Sequence, residues 1–130
     1  MGHLTTWNRY AQSKLANRLF ARQLAERYPG IMSVSVHPGV VSTNLYSAFV
    51  GDMGLKKMAY WGFKQLLSVS VAEGAKNQLW AATSPREGLV AGEYYFPVGI
   101  LGKGSKQGAD EELGKKLWEW TEKELEGYTL

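Results

Sequence analysis

Four stretches of the chain repeat apolar residues every three or four positions, which is the spacing of an amphipathic helix. They run from about Asn8 to Tyr28, from Leu55 to Leu67, from Ser70 to Thr83 and from Asp110 to Glu126. The residues that we expect to face inward are Ala16, Phe20 and Leu24 in the first helix, Val71, Ala75, Leu79 and Ala82 in the third, and Leu113, Leu117 and Trp120 in the last. Thr6 or Asn8 is suited to cap the first helix and Asp110 the last, because their side-chain oxygens accept hydrogen bonds from free N–H groups.

Two shorter stretches predict β-strands. Residues 31–37, IMSVSVH, alternate apolar residues with small polar ones, and residues 92–98, GEYYFPV, are rich in aromatic residues. Strands that alternate with helices imply parallel β-α-β units. Because two parallel strands leave a sheet edge and apolar helix faces uncovered, the sequence predicts part of an α/β domain whose first half is absent.

The composition narrows the classes of function. The chain has 130 residues, of which 45% are hydrophobic, and its net charge of +3 comes from scattered basic residues. This scatter argues against nucleic-acid binding, which needs clustered Lys and Arg. The absence of cysteine excludes thiolate chemistry, disulfides and zinc-thiolate sites, and it suits a cytoplasmic protein. No apolar run reaches the roughly 18 residues of a membrane span.

The stretch RYAQSKLAN, residues 9–17, places Tyr10 and Lys14 four residues apart on the first helix. Side chains at this spacing project from one helix face, with Cβ atoms about 5–6 Å apart. A free tyrosine has a pKa of about 10, and a neighbouring ammonium lowers that pKa by favouring the phenolate. Such a tyrosine can donate and accept a proton when a carbonyl and an alcohol interconvert. The same spacing occurs where a packed ring lies beneath a solvated lysine, so the pair alone leaves both interpretations open.

Three segments of the sequence resemble the short-chain dehydrogenase/reductase family. YAQSK, residues 10–14, matches the family's Tyr-x-x-x-Lys signature, and SKLAN, residues 13–17, is similar to the branch that contains retinol dehydrogenases and the WW-domain oxidoreductase. HPGVVST, residues 37–43, matches the family's Pro-Gly-x-Val-x-Thr segment, in the right order along the chain. The resemblance implies one partial domain, the C-terminal part of a Rossmann-like, doubly wound parallel sheet that lacks the N-terminal dinucleotide-binding strands.

The resemblance also implies roles for the matching residues. The residues implied to bind the cofactor are Tyr10, Lys14, Pro38, Gly39, Val41 and Thr43. Tyr10 would be the catalytic acid and base, and Lys14 would lower its pKa and bind the nicotinamide ribose. The Val41 backbone would hold the nicotinamide carboxamide, and the Thr43 hydroxyl would fix the same end of the cofactor. The implied cofactor is NADP or NAD, with a slight preference for NADP, and no metal is implied.

Other parts of the family's site have no match in these 130 residues. In the family, the glycine-rich dinucleotide turn and the catalytic serine both lie upstream of the tyrosine. They would lie further upstream than the nine residues that precede Tyr10 here. Gly99, Gly102 and Gly104 are spaced like a phosphate loop, but no helix follows them directly, so we interpret the stretch as a surface loop. His37 has no partner at metal-ligand spacing, and we interpret it as the end of the strand.

Three interpretations of Leu55–Leu67 stay open: an apolar lid over the substrate, a core helix, and an amphipathic helix on a membrane surface.

The leading prediction for the whole chain is the C-terminal catalytic portion of an NAD(P)-dependent oxidoreductase that interconverts a lipophilic alcohol and carbonyl and is inactive as the isolated chain. The alternative is a non-catalytic, truncated relative that acts as an interaction module. We expect a homo-oligomer, or pairing with the missing N-terminal half.

Overall fold

The structure is a computed structural model that describes residues 5–42 and 68–128. Along them lie helix α1 (Thr6–Arg27), strand β1 (Ser35–Val36), helix α2 (Val71–Thr83), strands β2 (Tyr94–Phe96) and β3 (Ile100–Gly102), and helix α3 (Glu111–Glu124). Short 3-10 helices occupy Arg86–Gly88 and Gln107–Ala109. The first, third and last predicted helices are confirmed, whereas the predicted helix Leu55–Leu67 and Thr43 lie outside the described residues. Within the described part of the chain, no helix is both long and apolar enough to cross a membrane.

The described sheet is mixed: the predicted parallel pairing of two strands is confirmed, and a third strand that was not predicted runs antiparallel. β1 and β2 pair in parallel, with Ser35 opposite Tyr94, as the alternation of strands and helices predicts. β3 runs antiparallel to β2, with Phe96 opposite Ile100. The reversal takes only three intervening residues, of which Gly99 has a φ of +70°, a conformation that suits the αL position of a tight hairpin. β1 covers only two residues of the predicted strand, although Ser33 and His37 on either side of it also hydrogen-bond the segment of β2.

Helices α1 and α2 cover opposite faces of the sheet. The buried Tyr95 ring lies 5.0 Å from the ring of Trp80 on α2. Its neighbour Tyr94 points to the other face, because successive strand residues alternate, and there the Arg18 guanidinium lies 5.0 Å from the centre of the Tyr94 ring. α3 packs on α1 through its buried Trp118. The two strands that carry the site are thus held between α1 and α2.

The buried face of α2 differs from the predicted apolar stripe. The predicted inward residues Val71, Ala75, Leu79 and Ala82 are all exposed. Gly74 and Asn77 are buried instead. An added Cβ at Gly74 would overlap the Val41 side chain, lying 3.1 Å from its Cγ1. The prediction failed because the close approach of α2 selects a residue without a side chain at position 74, and backbone carbonyls at the strand ends select a hydrogen-bond donor at position 77.

The predicted inward residues of α1 and α3 are only partly buried. In α1, Ala16 and Leu24 are half-buried and Phe20 is 38% exposed. In α3, Leu117 is half-buried and Leu113 is 36% exposed. Trp120 is 59% exposed, so its prediction is wrong, and Trp118 is the buried residue at 7% exposure. The reason is that the Trp118 ring meets α1, where it stacks on Phe20 at 5.2 Å and lies 5.0 Å from the Arg27 guanidinium.

The N-terminal cap of α1 is Thr5 and not Thr6 or Asn8. The Thr5 hydroxyl accepts a hydrogen bond from the Asn8 N–H at 3.2 Å, and Thr5 has the extended backbone that a cap requires. Thr6 and Asn8 already lie within the helix. Asp110 caps α3 as predicted, because its carboxylate accepts from the Leu113 N–H at 3.0 Å.

Two helical glycines allow a direct test of the close packing of α2. Alanine favours a helix over glycine by about 1 kcal/mol, but at Gly74 the new methyl group would displace Val41, and such overpacking costs about 1–3 kcal/mol. We expect Gly74→Ala to lower the free energy of unfolding. At Gly114 the nearest atoms belong to the flexible Gln23 side chain, at 3.4 Å, so we expect Gly114→Ala to raise it by up to about 1 kcal/mol. Urea denaturation of both variants measures the difference, and a Gly74→Ala variant as stable as Gly114→Ala would contradict this packing.

Candidate active site

The direction of α1 relative to β2 decides where Tyr10 lies. Arg22 packs against Gly92, just before β2, where an added Cβ would lie 3.7 Å from the Arg22 Cα. One turn earlier in the helix, Arg18 lies over the ring of Tyr94, further along the strand. Helix and strand therefore run antiparallel. Four helical residues rise about 6 Å and two strand residues about 6.6 Å, so the N-terminal turns of α1 reach beyond the carboxyl end of β2 and carry Tyr10 there.

Helix α2 runs antiparallel to β1 in the same manner. Its contacts, in order along the helix, are Gly74 with Val41, Asn77 with His37, and Ala81 with a groove that it shares with Val34. The N-terminus of α2 therefore lies at the carboxyl end of the parallel strands, as does the N-terminal part of α1. The loop of residues 37–42 leaves β1 at the same end. In open α/β sheets this end is where ligands bind.

Tyr10 and Lys14 lie together on α1. Lys14 Nζ is 5.3 Å from the centre of the Tyr10 ring, over the ring face. Trp7 stacks on the same ring at 5.9 Å with an interplanar angle of 26°. Tyr10 is half-buried and Lys14 is exposed. The helix thus brings the two predicted catalytic side chains into contact, while their roles stay predictions.

The loop that contains Pro38 and Gly39 is fixed by hydrogen bonds along its length. The His37 N–H donates to the Tyr95 carbonyl at 2.9 Å and extends the parallel ladder by one residue. Gly39 has a φ of +83°, which favours glycine, and its N–H donates to His37 Nδ1 at 2.8 Å. Beyond it, Val41 forms a parallel bridge with Val69, just before α2.

The peptide groups of Val41 have a defined orientation. The Val69 N–H donates to the Val40 carbonyl at 2.8 Å, and the Ser42 N–H donates to the Val69 carbonyl at 3.0 Å. Because peptide groups alternate sides along an extended chain, the N–H and C=O of Val41 point away from Val69. One donor and one acceptor at this position match a carboxamide, which carries an NH₂ and a C=O. The orientation fits the predicted contact of Val41 with a nicotinamide.

Two residues of this region were missed as functional candidates. His37 does end the strand, as predicted, but its ring also accepts the Gly39 N–H. Asn77 is 0% exposed and hydrogen-bonds the carbonyls of His37 and Tyr95. Each residue has a signal in the sequence. His37 stands two residues before a glycine whose N–H needs a partner, and Asn77 is a polar residue one turn after Gly74 on a helix that packs on a sheet.

The glycine-rich stretch after β2 packs around Arg18 and is not an open surface loop throughout. The Arg18 guanidinium donates to the Lys103 carbonyl at 3.0 Å, and added Cβ atoms at Gly104 and Gly108 would overlap the Arg18 side chain. The prediction of a surface loop is therefore wrong for Gly102 and Gly108, which are buried. Burial also raises the pKa of the Tyr94 hydroxyl beside Arg18, and the Arg18 charge opposes part of that increase.

Comparisons with known proteins agree with the resemblance of the sequence motifs. A short-chain dehydrogenase/reductase of Armillaria gallica is 40% identical over 124 residues, which make up 92% of this chain and 37% of that protein. A protein of a Streptomyces strain, named as a daunorubicin C-13 ketoreductase, is 37% identical over 110 residues, covering 85% of this chain and 36% of its own length. Retinol dehydrogenase 14 of Homo sapiens is 35% identical over 121 residues, covering 87% of this chain and 34% of its own length. The chain is related to the short-chain dehydrogenases/reductases.

This relationship extends over only part of each relative. The chain spans little more than one third of the length of the short-chain dehydrogenases/reductases that it matches. No family model matches the chain. Within residues 5–42 and 68–128, no three His, Asp or Glu side chains form a group that could hold a metal ion. Among the described residues, the candidate site consists of Tyr10, Lys14 and the loop of residues 37–42.

Proposed function

We propose that this chain is the C-terminal catalytic portion of an NAD(P)-dependent oxidoreductase of the short-chain dehydrogenase/reductase type, acting on a lipophilic alcohol or carbonyl in the cytoplasm. One observation supports the proposal: Lys14 Nζ lies 5.3 Å from the centre of the Tyr10 ring, on a helix whose Arg22 and Arg18 contacts direct its N-terminal part toward the carboxyl end of the parallel strands. A tyrosine can transfer the proton and a lysine can bind the ribose. The outward-pointing peptide groups of Val41 can hold the nicotinamide of a dinucleotide beside them.

Each residue has a specific task in this chemistry. A nicotinamide held here would supply the hydride that adds to the carbonyl carbon in reduction, or take it from the alcohol carbon in oxidation. The Tyr10 hydroxyl donates its proton to the carbonyl oxygen during reduction and takes it back during oxidation. The Lys14 ammonium, which lies over the Tyr10 ring, donates hydrogen bonds to the cofactor ribose. Pro38 and Gly39 shape the loop, and the outward-pointing Val41 peptide groups bind the carboxamide.

The substrate class rests on two relatives and on the chemistry of the pair. Retinol dehydrogenase 14 is named for retinol, a lipophilic alcohol, and the Streptomyces relative is named for reduction of a ketone on a polycyclic molecule. Both names describe the interconversion of an alcohol and a carbonyl, which is the step that a tyrosine acid/base serves. The cofactor that we propose is NADP or NAD, and NADP is slightly preferred.

The isolated chain should bind dinucleotide poorly. None of its 130 residues matches the family's glycine-rich dinucleotide turn or catalytic serine, so only the nicotinamide end of the cofactor would find contacts. We expect a fluorescence titration of purified residues 1–130 with NADPH to show no saturation in the micromolar range, and no turnover. Tight, saturable binding would contradict this expectation.

A chimera tests the role of Tyr10 directly. Residues 1–130 replace the matching segment of retinol dehydrogenase 14, and reduction of retinaldehyde by NADPH is followed. Because loss of a general acid costs about 10²–10⁴-fold in rate, we expect Tyr10→Phe to lower kcat by at least about 100-fold. Tyr28→Phe is the matched control, since it removes a hydroxyl from the other end of the same helix, on a side chain that is 49% exposed. Equal kcat values for the two variants would refute the assignment of Tyr10.

The alternative is that the chain acts as a non-catalytic interaction module. The observation that favours it is the uncovered edge of β1, where the sheet order leaves one side of the strand without a neighbour among the described residues. An apolar groove of about 350 Å³, lined in part by Leu24, Met32 and Val36, adjoins this edge. Such an edge can pair with a second copy of the chain or with a strand of an N-terminal half.

Light scattering tests the interaction module. We expect purified residues 1–130 to form a homo-oligomer, because pairing would cover the β1 edge and its groove. Introducing Val36→Lys at the edge should shift the population toward monomer, since a charge there opposes strand pairing. Val90→Lys, the same change at a valine that is 55% exposed and lies outside the groove, is the control for charge alone. A monomer at all concentrations would count against the module.

A further inference from the structure

Asn77 joins three separate segments through one buried side chain. Its amide Nδ2 donates to the His37 carbonyl at 2.8 Å and to the Tyr95 carbonyl at 3.1 Å. Its Oδ1 accepts from the Gly99 N–H at 3.0 Å. Both N–H groups and the oxygen of the amide are therefore used, and the side chain is 0% exposed. The residue connects α2 to the carboxyl ends of both parallel strands and to the β2–β3 hairpin.

Side-chain volume alone does not explain why position 77 is an asparagine. An aliphatic side chain of similar size would fill the space but would remove the side-chain partner of the part-buried His37 carbonyl and Gly99 N–H. The Tyr95 carbonyl also accepts from the His37 N–H at 2.9 Å. Asn77 and the parallel ladder thus converge on the His37 backbone, where the loop of residues 37–42 begins. The orientation of the His37 backbone is therefore set by Asn77 at its carbonyl and by Tyr95 at its N–H.

His37 transmits this orientation to Gly39. Its Nδ1 accepts the Gly39 N–H at 2.8 Å, so the neutral ring carries its proton on Nε2. The ring is held laterally by two aromatic side chains of β2, with centroids 6.4 Å from Tyr94 and 5.9 Å from Phe96. Backbone and ring of one residue therefore position the glycine at which the loop turns.

We propose that Asn77 is a positioning residue for the nicotinamide site, acting through His37 on the loop that presents the Val41 peptide groups. The proposal rests on the proposed function, because it assigns the loop a nicotinamide as ligand. It adds a chain of contacts from Asn77 to His37 and on to Gly39, none of which belongs to the Tyr-x-x-x-Lys pair. Removing the first contact should loosen the loop without altering Tyr10 or Lys14.

The test uses ¹⁵N-labelled residues 1–130 and the variant Asn77→Asp, which keeps an acceptor for the Gly99 N–H but, when ionised, has no donor for the two carbonyls. Gln78→Glu is the matched control, the same change at the next residue on an exposed side chain. NMR follows the Gly39 amide signal and the ring nitrogens of His37. We expect both to shift, and the Gly39 N–H to exchange faster with solvent, in Asn77→Asp and not in Gln78→Glu. An unchanged Gly39 signal in a folded Asn77→Asp variant would overturn the proposal.

A second variant keeps the test decisive if a buried carboxylate unfolds the chain. His37→Phe keeps a ring against Tyr94 and Phe96 but removes the Nδ1 acceptor. We expect the Gly39 N–H to lose its hydrogen-bonded shift while the signals of α1 and α3 stay in place. A Gly39 signal unaffected by His37→Phe would show that the ring does not hold the loop, and the proposal would fail.

Reduced nicotinamide mononucleotide at millimolar concentration is the functional probe. We expect it to shift the amide signals of residues 39–41 in the unaltered chain and in Gln78→Glu, with an affinity about tenfold lower in the Asn77 or His37 variants, as the loss of one hydrogen bond would give. Equal affinity in all chains would overturn the positioning role. No response in the unaltered chain would instead refute the nicotinamide role of the loop, and so the proposed function of this segment, whatever the Gly39 signal does.

Discussion

The packing of α1 against β2 is the contact on which the arrangement of the site depends. Arg22 lies against Gly92, where a side chain would reduce the space between helix and strand, and Arg18 lies over the Tyr94 ring. These two contacts fix the antiparallel direction of the helix. Reversing it would place Tyr10 at the amino end of the strands, far from the Pro38-Gly39 loop. The position of the tyrosine–lysine pair therefore depends on contacts that lie about one to three helical turns away from it.

On the other face of the sheet, α2 is joined to the strands by hydrogen bonds, by a close approach at a glycine and by the ring contact of Trp80 with Tyr95, and not by the predicted apolar stripe. Gly74 lets the helix approach Val41, and Asn77 supplies hydrogen bonds to carbonyls at the strand ends. The large apolar residues Val71 and Leu79 face outward, each 61% exposed. Hydrogen-bonded contacts are directional, whereas apolar contacts tolerate sliding, so the contacts of Asn77 fix the start of the loop of residues 37–42 more closely than an apolar stripe would.

The glycines of the chain have structural tasks that their spacing does not reveal. The Gly99, Gly102 and Gly104 series is spaced like a phosphate loop, yet Gly99 turns a hairpin and Gly104 makes room for the Arg18 side chain. The Arg18 guanidinium in turn holds the Lys103 carbonyl and lies beside Tyr94. The same arginine thus connects the helix that carries Tyr10 to both strands of the hairpin region.

The sequence by itself determined the local features: the presence of three helices to within two residues at each end, the Asp110 cap, the parallel pairing of two strands and the spacing of Tyr10 and Lys14, because these depend on periodicity and on neighbouring residues. It did not determine the buried face of α2, the third strand, the cap at Thr5, or the roles of His37 and Asn77 in the loop. Those depend on which segments meet: Asn77 is 40 residues from His37 in the chain, and its amide finds a partner only when α2 lies across the strand ends. The pattern of side chains along the chain specifies helices and strands. Residues far apart in the chain become neighbours only through tertiary packing, and that packing decided the geometry of the site.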